Sequence, residues 1–210
     1  MSNDDATTAI TDQATLRNEV GAPVPIAATK DMARLDRHCE HFISLSPFLC
    51  LGTMSADGKA DVSPRGDPPG FVKVLDDRTI LIPDRPGNRR VDSMENIVEN
   101  PSVGIIFFVP GVEETLRLNG HASIVHEEGL LSRMTVRGHT PKLGIKVEIE
   151  AVFFHCAKAL KRSHLWDPSS QIDRKDFPTL GQIIHDQRMP ETPAEEVERR
   201  VEEDYEKDLY

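Results

Sequence analysis

The stretch Val103-Gly-Ile-Ile-Phe-Phe-Val109-Pro110-Gly111-Val-Glu-Glu-Thr115-Leu-Arg-Leu-Asn-Gly-His-Ala-Ser-Ile-Val125 says most about how this chain folds. Its opening run is almost wholly apolar and of strand length, which predicts a strand buried on both faces. Pro110-Gly111 turns the chain. The return alternates, with Leu116, Leu118, Ala122 and Ile124 on one side, which predicts a half-buried antiparallel partner. The Asn119-Gly120 pair inside it predicts a bend or bulge.

The same hairpin logic recurs outward. Residues 48–53 read as a strand, Ser55-Ala56-Asp57-Gly58 as a tight turn, and 60–63 as the return. A second hairpin pairs 71–75 with 79–82 around Asp76-Asp77. Residues 145–155 form a long strand with Val147, Ile149, Ala151 and Phe153 on one face. Between these lie helical patterns. One covers 31–45, capped by Thr29 or Asp31 and stopped by Pro47. One covers 88–99, with Val91, Met94, Ile97 and Val98 on one face, and ends at Asn100-Pro101. A short helix is expected over 127–136, one over 157–165, and two more over 179–187 and 193–206. Six or seven strands in hairpin order predict a mainly β fold. The expected form is an antiparallel sheet closing into a barrel with peripheral helices, and not a parallel doubly wound sheet. Residues 1–28 read as an N-terminal arm, 29–168 as the barrel domain and 169–210 as a helical extension.

Composition narrows the function classes. The formal net charge is −10, and 38% of residues are hydrophobic. Such a balance argues against nucleic acid or an anionic membrane as main partner, while leaving room for a local basic pocket. No apolar run nears the roughly 20 residues that cross a bilayer. Residues 1–15 lack the basic start and apolar centre of a secretory signal, so a cytoplasmic location is expected. Cys39, Cys50 and Cys156 are odd in number and form no Cys-x-x-Cys pair, which predicts free buried thiols and not a disulfide or zinc framework. His38 and His41 share a helical face, but no third ligand is placed, and no metal site is expected. No phosphate-binding glycine loop or serine-hydrolase elbow is present.

Two arginine-bearing segments carry the chemistry. Ser63-Pro64-Arg65-Gly66-Asp67 follows a strand. Gly66 allows close backbone approach, Arg65 can reach a phosphate or ring carbonyl, and Asp67 can hold a hydroxyl or orient Arg65. The alternative is a surface turn with an ion pair of little worth. The second segment, from Ile80 onward, passes Ile82-Pro83-Asp84-Arg85 to Asn88-Arg89-Arg90 and opens a helix. Asn88 reads as its N-cap, with Arg89 and Arg90 in the first turn. Cations there oppose the helix dipole unless an anion such as a phosphate compensates, so the pair either binds an anion or tolerates a small surface cost. Arg117 lies on the non-core face of its strand with Thr115 and Asn119, lining a cleft or facing solvent. Lys158 and Arg162 share a helical face beside Trp166, either covering a ligand or forming a solvated face around an anchoring tryptophan.

Segments 61–67 (DVSPRGD), 81–97 (LIPDRPGNRRVDSMENI), 99–122 (ENPSVGIIFFVPGVEETLRLNGHA) and 153–166 (FFHCAKALKRSHLW) resemble the pyridoxamine 5′-phosphate oxidase-like superfamily, in its branch of FMN-dependent proteins. The resemblance spans residues 31–166. It implies a split β-barrel, a homodimer and FMN at the subunit interface. It places Ser63, Arg65, Gly66 and Asp67 at the isoalloxazine edge and ribityl chain, and Ile82, Pro83 and Asp84 beside the ring. Asn88, Arg89 and Arg90 are then implied at the phosphate, with Thr115 and Arg117 on the neighbouring strand. Lys158, Arg162 and Trp166 are implied to reach over from the other subunit. The implied activity is that of an FMN-dependent oxidoreductase on a small molecule, with NAD(P)H as a candidate reductant. The acidic tail lacks the arginine–histidine substrate signature of the oxidase itself, so the likeness extends to the barrel and FMN site and not to that substrate. A non-catalytic flavin- or haem-binding protein, or a deazaflavin-dependent reductase, fits the same fold.

Overall fold

The computed structural model describes residues 9–207, 209 and 210. They divide into two compact units between Asp31 and Met32. The first holds α1 (Gln13–Val20) and α2 (Pro25–Ala28). Asp12 caps α1 by accepting from the backbone N–H and the hydroxyl of Thr15, and Gly21 closes it in the left-handed region at φ 79°. Neither helix buries a residue.

The second unit begins with α3 (Arg37–Leu45), β1 (Phe48–Met54), β2 (Ala60–Gly66), β3 (Lys73–Asp76) and β4 (Thr79–Pro83). It continues through α4 (Asp92–Glu99), β5 (Ser102–Phe108), β6 (Thr115–Val125), α5 (Glu128–Leu131) and β7 (Gly144–His155). The elements α6 (Lys158–Ser163), α7 (Leu180–Arg188) and α8 (Ala194–Lys207) complete it. All seven strands join one antiparallel sheet in the order β2-β1-β5-β6-β7-β4-β3. The sheet does not close on itself: β2 and β3 are its edges, and the architecture is a split barrel. One face carries the core, with Leu49, Leu51, Ile105, Phe107, Leu116, Leu118, Ile145 and Val147 packed under Cys39, Phe42 and Ile43 of α3.

Four expectations are corrected. First, α3 starts at Arg37, not near Asp31, because Met32 spends its backbone in a bridge to Val152 and Leu35 donates to the Asp77 carbonyl. Asp36 is the cap, accepting from His38 N and Cys39 N, both at 2.9 Å. Second, β5 is not buried on both faces. Val103, Ile105 and Phe107 are buried, whereas Ile106 and Phe108 on the outer face are only half-buried. Third, the strand expected over 60–63 runs on to Gly66, so residues 63–66 are the end of β2, in register with Phe48–Leu51 of β1. Pro64 is accommodated there because β2 is an edge strand. Fourth, α4 is shorter than 88–99, and Val98 points outward at 77% exposure while Met94 and Ile97 are buried.

The irregularity expected at Asn119-Gly120 is present. Asn119 pairs with Ala151 but Gly120 pairs with Ile149, which leaves Glu150 as the extra residue of a bulge on β7. The alternation of β7 therefore inverts. Val147 and Ile149 face the core, but beyond Glu150 it is Val152 and Phe154 that do so, and Ala151 and Phe153 move to the opposite face. A Cβ on Gly120 would lie 2.1 Å from the Glu148 carbonyl oxygen, so only glycine permits this crossing. Among the described residues, no helix is long and apolar enough to cross a membrane.

Candidate functional site

The sheet curls so that the end of β2, at one edge, meets the end of β4, next to the other. Two ion pairs close this split, one half-buried and one more deeply buried. Arg65 of β2 donates to Asp84 just past β4, Nη1 to Oδ1 at 3.1 Å, and Arg85 donates in the reverse sense to Asp67, Nε to Oδ2 at 2.5 Å. The side chains of Arg85 and Asp67 are 14% and 1% exposed. Such a pair is a strong positional constraint, since removing either partner strands a buried charge. Arg85 also donates to the Met134 carbonyl, and the Tyr210 hydroxyl donates to the second Asp67 oxygen at 2.8 Å. That donation to a carboxylate holds the Tyr210 hydroxyl protonated above its ordinary range.

Against these pairs lies a cavity of about 500 Å³, within the range of small-molecule and cofactor sites. Ser63, Arg65 and Gly66 line it from β2, and Pro83 and Asp84 from the end of β4. Asn88, Arg89 and Arg90 line it from the loop that precedes α4.

That loop differs from the expected helical turn. Asn88 does not cap a helix; its Oδ1 accepts from Arg90 N at 2.9 Å within the loop. Arg89 has φ 60°, a left-handed conformation that costs a non-glycine residue about 1–2 kcal/mol. This backbone keeps Arg89 and Arg90 out of the helix. The N-cap position of α4 falls to Val91, and no side chain caps its first turn. Arg90 pairs with Asp92 at 2.8 Å, but Arg89 has no carboxylate partner among the described residues. On the opposite wall, Nε of Arg65 is buried without a hydrogen-bond partner. A buried donor left unmade is costly, and its position in a cavity wall marks it as a donor for an occupant.

The remaining expected site residues are not in this cavity. Ile82 is fully buried in the core. Asp67 is committed to Arg85 and Tyr210, so it neither orients Arg65 nor offers a free oxygen. Thr115 is buried at the start of β6, opposite His155. Arg117 lies on the outer face of the sheet, its guanidinium 5.1 Å from the centroid of the Phe153 ring. Lys158 and Arg162 are exposed on α6, where Arg162 Nε donates to the Lys158 carbonyl. Trp166 anchors the chain by donating to the Val112 carbonyl at 2.8 Å. Sequence reasoning missed Arg85 as a cavity residue, although it lies inside the quoted segment. It also missed Phe71, Met94 and Leu143. Apolar residues distant in sequence carry no local signal for a wall.

Among the described residues, no group of three histidines, cysteines or acids stands where it could hold a metal ion. The ionisable side chains lining the cavity are arginines and Asp84. The arginines outnumber the single carboxylate, a lining that favours an anion.

The fold is thus a split barrel with an arginine-lined cavity at its opening. The family model described as pyridoxamine 5′-phosphate oxidase matches residues 35–156, and the chain belongs to that family. A search of curated proteins finds no match. Similar solved structures include HupZ from Group A Streptococcus, at 18% identity over 57% of this chain and 93% of that one, with a TM-score of 0.47. An FMN-binding protein from Syntrophomonas wolfei matches at 11% identity over 58% and 88%, TM-score 0.45. HutZ, the heme storage protein from Vibrio cholerae, matches at 18% over 57% and 94%, TM-score 0.43.

Proposed function

We propose that this chain is an FMN-dependent oxidoreductase acting on a small molecule and working as a homodimer. One observation carries the reading: Arg89, in a left-handed conformation and without a carboxylate partner among the described residues, stands beside Arg90 and the uncapped first turn of α4. An arginine fork beside helix N–H groups favours a phosphate. The resemblance to FMN-dependent proteins makes that phosphate the flavin's on this reading. The buried, unpartnered Nε of Arg65 on the facing wall suits a flavin edge, which presents hydrogen-bond acceptors.

FMN, when bound, supplies the hydride or electron transfer of its isoalloxazine ring. The protein's part is placement. Arg89 and Arg90 would hold the phosphate, and Ser63, Gly66 and Pro83 would line the chain and ring. Arg65, held by Asp84, would keep positive charge near the ring and favour negative charge developing there. The lining favours a flavin over haem, because among the described residues no histidine lines this cavity.

The homodimer reading rests on the outer face of the sheet. Val62, Phe48 and Met54 are exposed there at 69%, 39% and 42%, next to Gly52, Gly104, Ile106 and Phe108. Exposed apolar side chains grouped on one sheet face support an association surface there. On this reading the exposed Arg117, Lys158 and Arg162, with Trp166, would serve the partner's site, not their own, and Thr115, buried in its own protomer, would serve neither.

The test begins with the absorption spectrum of the purified protein and identification of any released chromophore by mass. FMN near one per chain is expected. Arg89→Ala with Arg90→Ala should weaken FMN binding by about a hundredfold or more, since each charge-assisted hydrogen bond contributes about 1.5–3 kcal/mol. Unchanged affinity would overturn the assignment. Bound FMN that NAD(P)H reduces and an acceptor reoxidises identifies an enzyme; bound FMN inert with every donor leaves a flavin-holding protein.

A further inference from the structure

A second cavity, of about 350 Å³, adjoins the first. Asp84, Arg85 and Arg89 line both, so the loop that follows β4 is their common wall. The second cavity is otherwise lined by His139, Lys142 and Tyr210, among others. Its charges do not balance. The carboxylate of Asp84 is taken by Arg65, and Asp67, behind Arg85, is taken by Arg85 and Tyr210. Arg89 and Lys142 have no side-chain partner among the described residues. In a chain of net charge −10, unneutralised cations gathered around one cavity need an explanation.

The wall is also built, not incidental. Val136 and His139 bridge across the two-residue turn Arg137-Gly138, whose φ values of 51° and 81° are those of a type I′ hairpin. Arg137, held left-handed by that turn, lies over the Tyr210 ring at 4.9 Å. Tyr210 is thereby fixed at both ends, by its ring and by its hydroxyl on Asp67. The turn leads into His139 of the cavity lining, and Lys142, also in the lining, follows three residues on.

We propose that this cavity is a second oxyanion site, taking a carboxylate or phosphate of a small molecule between Lys142 and His139 on one side and Arg89 on the other. It rests on the FMN reading only for the occupant of the first cavity. The oxyanion has two chemical sources: a separate anionic substrate, or a second acidic group on a flavin-type cofactor that continues past Arg89.

Wild type and the double variant Lys142→Gln/His139→Gln are titrated calorimetrically with FMN, with FAD, and, after saturation with FMN, with inorganic phosphate. Both substituted side chains are exposed, and thermal melting checks that the variant is folded. FMN affinity should stay within about twofold. If the oxyanion is separate, phosphate binds the FMN-saturated wild type saturably and at least about tenfold more weakly in the variant. If it belongs to the cofactor, FAD binds the wild type more tightly than FMN, and the variant loses that advantage. Either result supports the site. Equal phosphate and FAD affinities in the two proteins, or a wild type in which phosphate does not bind and FAD gains nothing over FMN, overturn it. If FMN itself fails to bind, the FMN reading falls, and phosphate titrated into flavin-free protein decides this site: a weakening of about tenfold in the variant supports it, and no change overturns it.

Discussion

Arg89 is the residue at which local conformation and chemistry conflict. Its φ of 60° is unfavourable for arginine and harmless for glycine. Arg89→Gly should therefore leave stability unchanged or raise it by up to about 1 kcal/mol, strain relief being partly offset by the entropy of glycine. The same change should weaken FMN binding at least about tenfold. Urea unfolding and flavin titration of one sample separate the two effects, and a fall in stability above that margin would give Arg89 a structural role. Asp67 poses the reverse case. Its carboxylate, 1% exposed, holds Arg85 and Tyr210. Asp67→Asn should cost about 3 kcal/mol by stranding Arg85, whereas Tyr210→Phe, which removes one hydrogen bond and leaves the ion pair intact, should cost much less. Equal losses in urea unfolding would contradict this ranking. The crossed pairing of Arg65 with Asp84 and Asp67 with Arg85 was not legible in the sequence, where Arg65 and Asp67 look like each other's partners.

Among the elements, α3 and the β6–β7 pair are the informative cases. Asp36 caps α3, and the N–H of Cys39 is the main reason its carboxyl lies below the ordinary value of 3.8. The folded-state value is thus below the unfolded one. The stabilisation is present above the unfolded value and is lost as pH falls through the folded value. Asp36→Ala should cost about 1 kcal/mol at neutral pH and progressively less as the solution is acidified below the ordinary carboxylate range. Unfolding curves of both proteins across that range check the convergence. In the β6–β7 pair, Gly120→Ala should cost at least about 2 kcal/mol, because the Glu148 carbonyl occupies the position of the new Cβ. Thermal melting measures it, and a neutral result would mean that the bulge can relax. The sequence marked this place through Asn119-Gly120. It could not assign the extra residue to Glu150 on the partner strand, because a bulge belongs to a pair of strands and not to one.

The whole molecule offers one prediction that no single residue contains. The outer face of β1 and β2 carries exposed apolar side chains, with the half-buried Ile106 and Phe108 of β5 beside them. If it is the dimer surface, the wild type should run in light-scattering chromatography at about twice 23.5 kDa. Val62→Lys, on an exposed edge position, should shift it toward the monomer and weaken FMN binding together with association. A folded monomeric wild type would instead leave Arg117, Lys158 and Trp166 without a site to serve.

Hairpin order, the mainly β class and the arginine-bearing loop could all be read from the chain alone, because strand alternation, turn residues and charge are local properties that it carries wherever it folds. Other facts needed the folded molecule: which arginine pairs with which aspartate, which face of β7 turns inward beyond Glu150, and that Phe71 and Leu143 wall the cavity. Those depend on contacts between segments far apart in the chain, and a carboxylate carries no mark of the cation it will meet until the sheet has curled to bring them together.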